Sequence, residues 1–200
     1  MSGEVPECGM IIGLTGGIGC GKSSALAGLI LLGFNGVDAD QLARQALESA
    51  DSLRQMRIRW GGACVGPDGR PDRRWIAEKV FGDATERAFL EGLTHPEVAR
   101  RRAEAVADVS RHHVVEIPLL FEKELAAGFS AIVCVACSEE VRRGRLLKKG
   151  LSPDQINQRS KSQMSTLEKV KRSDYVLWND GDPGFLQAQV ADLVGRLMKI

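Results

Sequence analysis

Aromatic residues are scarce in this 200-residue chain, 5% in all with a single Tyr, and net charge is nearly absent at +1. A protein that tracks nucleic acid by stacking bases wants a sustained basic face interleaved with aromatics. A balanced charge also leaves no global field to draw acidic partners or membrane surfaces. No apolar run approaches the roughly 18 residues that a membrane helix needs. The start, with Glu4, Pro6 and Glu7, lacks the basic-then-apolar pattern of a secretory signal. The expectation is a cytoplasmic protein with no membrane and no nucleic-acid partner. Repeats and low-complexity segments are missing too. The five cysteines are odd in number and scattered, which does not suit a disulfide framework. Cys134 and Cys137 have redox or zinc spacing, but they lie in an apolar run that reads as a buried strand, where residues three apart face opposite ways. No second pair completes a zinc site. An Asn-Lys-x-Asp guanine motif is also missing, which argues against a GTPase switch.

What is present is a hydrophobic content of 44%, ordinary for a globular core, arranged as short apolar runs between longer helical stretches. That is the pattern of an α/β protein with a parallel sheet. Strands are expected at 10–14, 36–38, 114–117, 131–136 and 175–178. A helix is expected from 22 to about 32, closed by Gly33, and a last one over 185–198. About seventy helix-like residues separate the second strand from the third. That is too long for a plain crossover and implies an inserted helical part, with a long charged helix over 84–113.

The chemistry is carried by Gly16-Gly-Ile-Gly-Cys-Gly-Lys-Ser23, which fits G-x-x-x-x-G-K-[ST] between a strand and a helix. Glycines let successive backbone amides wrap a phosphate, and the helix N-terminus adds partial positive charge. Gly17, Ile18, Gly19, Cys20, Gly21, Lys22, Ser23 and Ser24 form the nucleotide cradle. Lys22 reaches the β- and γ-phosphates, and the Ser23 hydroxyl can ligate Mg²⁺. The Cys20 side chain has no chemical role in this reading, because the loop works through its backbone.

A P-loop alone does not separate kinases from other nucleotide-users. Asp38 and Asp40 follow the second strand, and alternation puts both on one side if the strand continues. Two carboxylates there suit a kinase, one on the metal side and the other orienting or deprotonating an acceptor hydroxyl. Asp40 can also cap a helix over 41–50. The basic run Arg142, Arg143, Arg145, Lys148, Lys149 suits a mobile segment that folds over a triphosphate. Ser152-Pro153-Asp154 reads as a cap with Pro in the first helical turn. His95 before Pro96 reads either as a helix start or as a substrate contact. His112 and His113 have no third ligand beside them.

These pieces, in this order, resemble the dephospho-CoA kinase family. The P-loop, Val37-Asp-Ala-Asp-Gln-Leu-Ala-Arg44, Asp72-Arg73, Val80-Phe81, His95-Pro96, Ile117-Pro-Leu-Leu-Phe-Glu122 and Ser173-Asp-Tyr-Val-Leu-Trp-Asn179 cover nearly the whole chain. The resemblance implies a three-layer α/β/α P-loop kinase fold with a five-stranded parallel sheet, a helical CoA-binding insertion and a lid. It implies a single domain over 10–200 after a flexible extension of residues 1–9. The nucleotide-binding core would comprise 10–40, 113–140 and 170–200, the insertion 41–112 and the lid 141–169. It implies ATP and Mg²⁺, dephospho-CoA as acceptor, and a monomer or weak homo-oligomer. Asp40 would be the general base, acting with Lys22 and Arg145. Asp38 would join Ser23 at the metal. Arg44, His95, Pro118, Leu119 and Leu120 would face the CoA substrate, and Asn179, Asp180 and Gly181 the adenine. The chain departs from the usual family pattern at Cys20, usually Ser; at Ser24, commonly Thr; at Lys149, often Arg; and at Arg142, often Gln. The rivals are P-loop kinases of nucleosides, shikimate or gluconate.

Overall fold

The computed structural model describes residues 9–199. The extension expected over residues 1–9 lies outside them except for Gly9, whose amide donates to Val109 O at 2.7 Å. The chain forms two compact units, one running to Val37 and resuming at Asp108, the other Asp38–Ala107.

The first unit is built on a five-stranded sheet of β1 (Ile11–Gly16), β2 (Asn35–Asp38), β3 (His113–Glu116), β4 (Ala131–Ala136) and β5 (Tyr175–Trp178), in the order β2-β3-β1-β4-β5. The pairs β1–β3, β1–β4 and β4–β5 are parallel, with Gly13 beside Val115 on one side and Ile132 on the other. Every residue of β4 is buried, so its sequence runs apolar without alternation, as in a parallel strand covered on both faces. Helices α1 (Lys22–Leu31) and α9 (Pro183–Leu197) pack on each other and share a core with Ile12, Leu14, Val133 and Val135. The later helices α6 (Glu139–Lys148), α7 (Pro153–Lys161) and α8 (Thr166–Arg172) follow β4, and α8 packs against β1 and β4. Helix α1 stops where expected: Gly33 takes the left-handed conformation, φ 97°, just past Leu32. Helix α7 begins at the expected Ser152 cap, with Pro153 in its first turn and Gln155 closing a capping box.

The second unit contains α2 (Ala39–Leu47), α3 (Ala50–Trp60), a 3-10 turn at Gly61–Cys64, α4 (Arg73–Val80) and α5 (Ala84–Ala105). Asp38, Ser49, Asp72 and Asp83 cap the four helices through their side chains. Its small core joins Met56, Cys64 and Ile76 to Trp60, Trp75, Phe89 and Leu93. Two expectations are corrected here. No helix starts at His95, because Pro96 lies inside α5. Proline has no amide to offer the Gly92 carbonyl, but Gly92 is exposed and water can satisfy that carbonyl. Helix α5 also ends at Ala105 instead of running to 113. Beyond it, Asp108 Oδ1 accepts the Ser110 amide (3.1 Å) and hydroxyl (2.5 Å), a local turn that competes with the helical ladder.

Candidate active site

Strand β1 delivers the chain at Gly16 into the P-loop, and α1 leaves it at Lys22. Gly21 caps α1 in the left-handed region, φ 99°, and a Cβ there would sit 2.1 Å from Asn179 Nδ2. Only glycine fits that position. Lys22 is buried, its ammonium donating to Gly16 O and Gly17 O at 3.2 Å each. The side chain is therefore folded back over its own loop, where a phosphate would lie. Ser23 and Ser24 are exposed in the first turn of α1. The Ile18 amide, which belongs to the cradle, donates to Gln163 Oε1 at 3.1 Å.

Asn179, at the end of β5, fastens the other wall. Its Nδ2 donates to Cys20 O at 2.8 Å, while its own carbonyl and Oδ1 accept from the Arg145 guanidinium at 2.9 and 3.3 Å. Arg145 thus comes from α6 to the P-loop through one buried asparagine. Beside them lies a cavity of about 390 Å³, lined by Gly19, Gly21, Arg145, Lys149, Asn179 and Pro183, within the size range of small-ligand pockets. Asp180 does not face this cavity freely. Its carboxylate accepts the Ser138 amide and the Trp178 indole N–H, and the Ser138 bond holds its pKa below the usual carboxylate value.

The basic run of α6 is divided in its use. Arg145 and the lysines reach the cavity, but Arg142 is buried, paired with Glu139 at 2.6 Å and bonded to Ser160 Oγ at 2.8 Å. It braces α6 against α7, so the run is not one free basic segment. Cys20 is fully buried. The neighbouring Cys137 thiol and, after it, the charges of Lys22 and Arg142 bring its pKa down to about 6 against the opposing effect of burial. Cys137 is pushed up by the same contact and by burial, and burial pushes Cys134 up to about 11.

Asp38 and Asp40 do not alternate on one strand. Asp38 ends β2 and its Oδ1 accepts the amides of Asp40 (2.9 Å) and Gln41 (3.1 Å). Asp38, and not Asp40, is therefore the cap of the helix that was expected at 41–50, which starts at Ala39. Asp40 stands exposed in its first turn, where a carboxylate is favoured by the helix dipole. Arg44 lies on α2 and His95 on α5, both exposed. The paired histidines have structural partners. His112 Nδ1 accepts the Met10 amide at 3.2 Å, and the His113 ring contacts Asn35 Nδ2 and Asp108 O.

The turn after β3 carries Pro118, Leu119 and Leu120, with Leu120 fully buried and the other two partly so. Pro118 O accepts the Lys169 ammonium at 2.5 Å, and that ammonium pairs with Glu122 Oε1 at 2.9 Å. The Met164 amide donates to the same carboxylate oxygen at 2.7 Å.

A family model described as dephospho-CoA kinase matches residues 10–183. The chain belongs to the dephospho-CoA kinase family. A dephospho-CoA kinase of Syntrophotalea carbinolica is 39% identical over 195 residues, covering 94% of this chain and 92% of that one. A solved Thermus thermophilus protein superposes with a TM-score of 0.84 at 35% identity, covering 96% of this chain and 99% of the other. The solved dephospho-CoA kinase of Campylobacter jejuni shares the fold, with a TM-score of 0.66 at 21% identity over 93% of this chain and 96% of that one. Membership makes the chain an ATP-using P-loop kinase.

Within this dephospho-CoA kinase family member, two residues at the site have no sequence signal of their own. Lys169 sits in Glu-Lys-Val-Lys-Arg, which reads as a solvated basic face, yet its side chain is 0% exposed. Gln163 lies in a polar connection, and nothing in its neighbours announces a bond to the P-loop.

Proposed function

We propose that this chain transfers the γ-phosphate of ATP to the ribose 3′-hydroxyl of dephospho-CoA, giving coenzyme A and ADP, the last step of coenzyme A synthesis. The observation that carries the reading is the P-loop joined to Asn179 and Arg145 beside a cavity of about 390 Å³, in a chain matched almost throughout by the dephospho-CoA kinase model.

The cavity takes the adenosine of ATP, and the loop amides of residues 17–24 take its phosphates. Lys22 exchanges its carbonyl partners Gly16 and Gly17 for β- and γ-phosphate oxygens, as a P-loop lysine does. Arg145, already oriented by Asn179, turns part of its guanidinium to the transferring group and neutralises charge that grows there. Asp40 accepts the proton of the 3′-hydroxyl as the oxygen attacks phosphorus in line. The donor set fits Mg²⁺, which prefers hard oxygen ligands. Ser23 offers an exposed hydroxyl, and Asp38 caps its helix with Oδ1 alone, leaving Oδ2 outside that cap. When bound, the ion neutralises β- and γ-phosphate charge.

Arg44, His95 and the turn at Pro118, Leu119 and Leu120 contact dephospho-CoA in this reading, residues 41–112 bind its CoA part, and residues 141–169 act as the lid. The proposal includes a cytoplasmic setting and a monomer or weak homo-oligomer. Among the described residues no helix is long and apolar enough to cross a membrane. The test is product analysis. With Mg·ATP and dephospho-CoA, phosphorus NMR should show a new 3′-phosphomonoester formed one-to-one with ADP. ADP release without that product sinks the acceptor assignment.

A further inference from the structure

The peptide between Gly17 and Ile18, at the tip of the P-loop, is held from both edges. Gly17 O accepts the Lys22 ammonium and the Cys20 amide, each at 3.2 Å. On the other edge the Ile18 amide donates to Gln163 Oε1 at 3.1 Å. Gly17 carries no Cβ, so its own backbone does little to restrain that peptide plane. Gln163 is anchored in turn. Its amide donates to Ser160 O at 3.2 Å, and the next amide, of Met164, donates to Glu122 Oε1, the oxygen that pairs with Lys169. Lys169 holds Pro118 O, which also accepts the Thr15 hydroxyl at 3.5 Å, just before the loop. The segment meets the loop a second time at Thr166, since a Cβ on Gly17 would stand 2.8 Å from Thr166 Oγ1. The reaction proposed above gives Gln163 no part.

We propose that Gln163 is a positioning residue for the triphosphate of ATP, holding the Gly17–Ile18 peptide in place while Lys22 turns from Gly17 O to phosphate. In this structure the peptide has a side-chain anchor on each edge. Once Lys22 takes phosphate partners, the anchor on the oxygen edge is weakened, and Gln163 is the side chain that keeps the plane from turning. A plane free to turn spreads the amides that follow it over several orientations. ATP must then order the loop as it binds, at a cost in affinity. Of the loop amides assigned to phosphate above, that of Ile18 therefore stays with Gln163, and those from Gly19 onward line the cradle. The contact has a fixed footing. Through Met164 it stands on the Glu122–Lys169 pair, so the loop tip is registered against Pro118, in the turn proposed to face the acceptor. Gln163 itself moves no proton and acts through the loop.

The proposal rests on the P-loop being the ATP site and not on the identity of the acceptor. It is tested on the full chain with two variants. Gln163→Leu is similar in size but has no acceptor oxygen, and Gln163→Glu keeps an oxygen at the same reach. ATP binding is measured by calorimetry without an acceptor, so failure of the dephospho-CoA reading leaves the result intact. Exchange of the Ile18 amide is followed by NMR. In Gln163→Leu that amide should exchange faster, and ATP should bind about three- to tenfold more weakly, the worth of one neutral hydrogen bond. The melting temperature should stay at the parent value, which separates positioning of the loop from a general loosening of the fold. Gln163→Glu should keep the slow exchange of Ile18. Parent-like ATP affinity in Gln163→Leu, unchanged Ile18 exchange, or fast exchange in Gln163→Glu overturns the proposal. Tighter ATP binding in Gln163→Leu overturns it too, because Gln163 would then compete with phosphate for the Ile18 amide. A parent protein that binds no ATP sinks the P-loop reading itself, and this proposal with it.

Discussion

The two units hold their candidate functional side chains in opposite ways. In the sheet unit, Lys22, Asn179 and Arg145 are each fixed by hydrogen bonds to backbone, and Lys22 and Asn179 are buried. In the helical unit, Asp40, Arg44 and His95 stand exposed on α2 and α5, and only Asp38 is fixed, by the cap it provides. The cores differ in the same sense. The sheet unit even buries the lysine of an ion pair, Lys169 at 0% exposure with Glu122 at 18%, whereas the helical unit ties its surface with pairs such as Arg74–Glu78, whose side chains are 90% and 67% exposed. The groups of the P-loop wall are thus held by protein partners, which Lys22 would exchange for phosphate oxygens in the proposed reaction. The proposed acceptor-side groups are left free to take their positions on the substrate.

The contrast is broken most severely at Lys22. Lys22→Ala should lower turnover by about 10³-fold, the upper range for losing one preorganised donor, and steady-state kinetics with any accepted substrate checks it. Lys169→Met should act on folding instead. Leaving the partly exposed Glu122 without its cation costs at most the roughly 3–5 kcal/mol of a fully buried pair, read as a fall in denaturant midpoint, and Glu122→Gln added to it should recover part of the loss. Glu122 also sets a pH dependence. Burial pushes its pKa up, but Lys169 and the Met164 amide outweigh that and hold it below the usual carboxylate value. Its contribution is therefore present above the unfolded pKa of about 4.3 and fades as pH falls through the lower folded value. The parent should lose stability below that pH more steeply than Glu122→Gln in thermal melts. Asp40→Asn should lower kcat by about 10²-fold, with ATP affinity and melting temperature unchanged. A fall in melting temperature equal to that of Lys169→Met would erase the contrast between the units. Smallest of all, Arg74→Ala should leave both kcat and melting temperature where they were, because an exposed pair contributes little.

What could be read from the sequence follows the same divide. The P-loop, the five strands and the Ser152 cap were legible because each depends on a few adjacent residues. The cap of α2 was misplaced by two residues because Asp38-Ala-Asp40 offers two identical capping groups. Only the φ and ψ of Asp38, still extended at the strand end, decide between them. Pro96 misled because proline usually marks a helix start, and only the solvent exposure of Gly92 makes it tolerable in the middle of α5. Lys169 was invisible for a deeper reason. Its partners Pro118 and Glu122 lie some fifty residues away in sequence, and no local pattern encodes that meeting. The role of Arg142 as a brace was hidden in the same way, by Ser160 on another helix.

The most direct test of the account is a comparison of kcat/KM across acceptors at fixed Mg·ATP, with ADP release as the common signal and dephospho-CoA, adenosine, AMP, shikimate and gluconate as the panel. The account predicts rapid turnover on dephospho-CoA and only background on the others. Background on dephospho-CoA with turnover on another acceptor would contradict it, leaving a P-loop kinase of a different substrate.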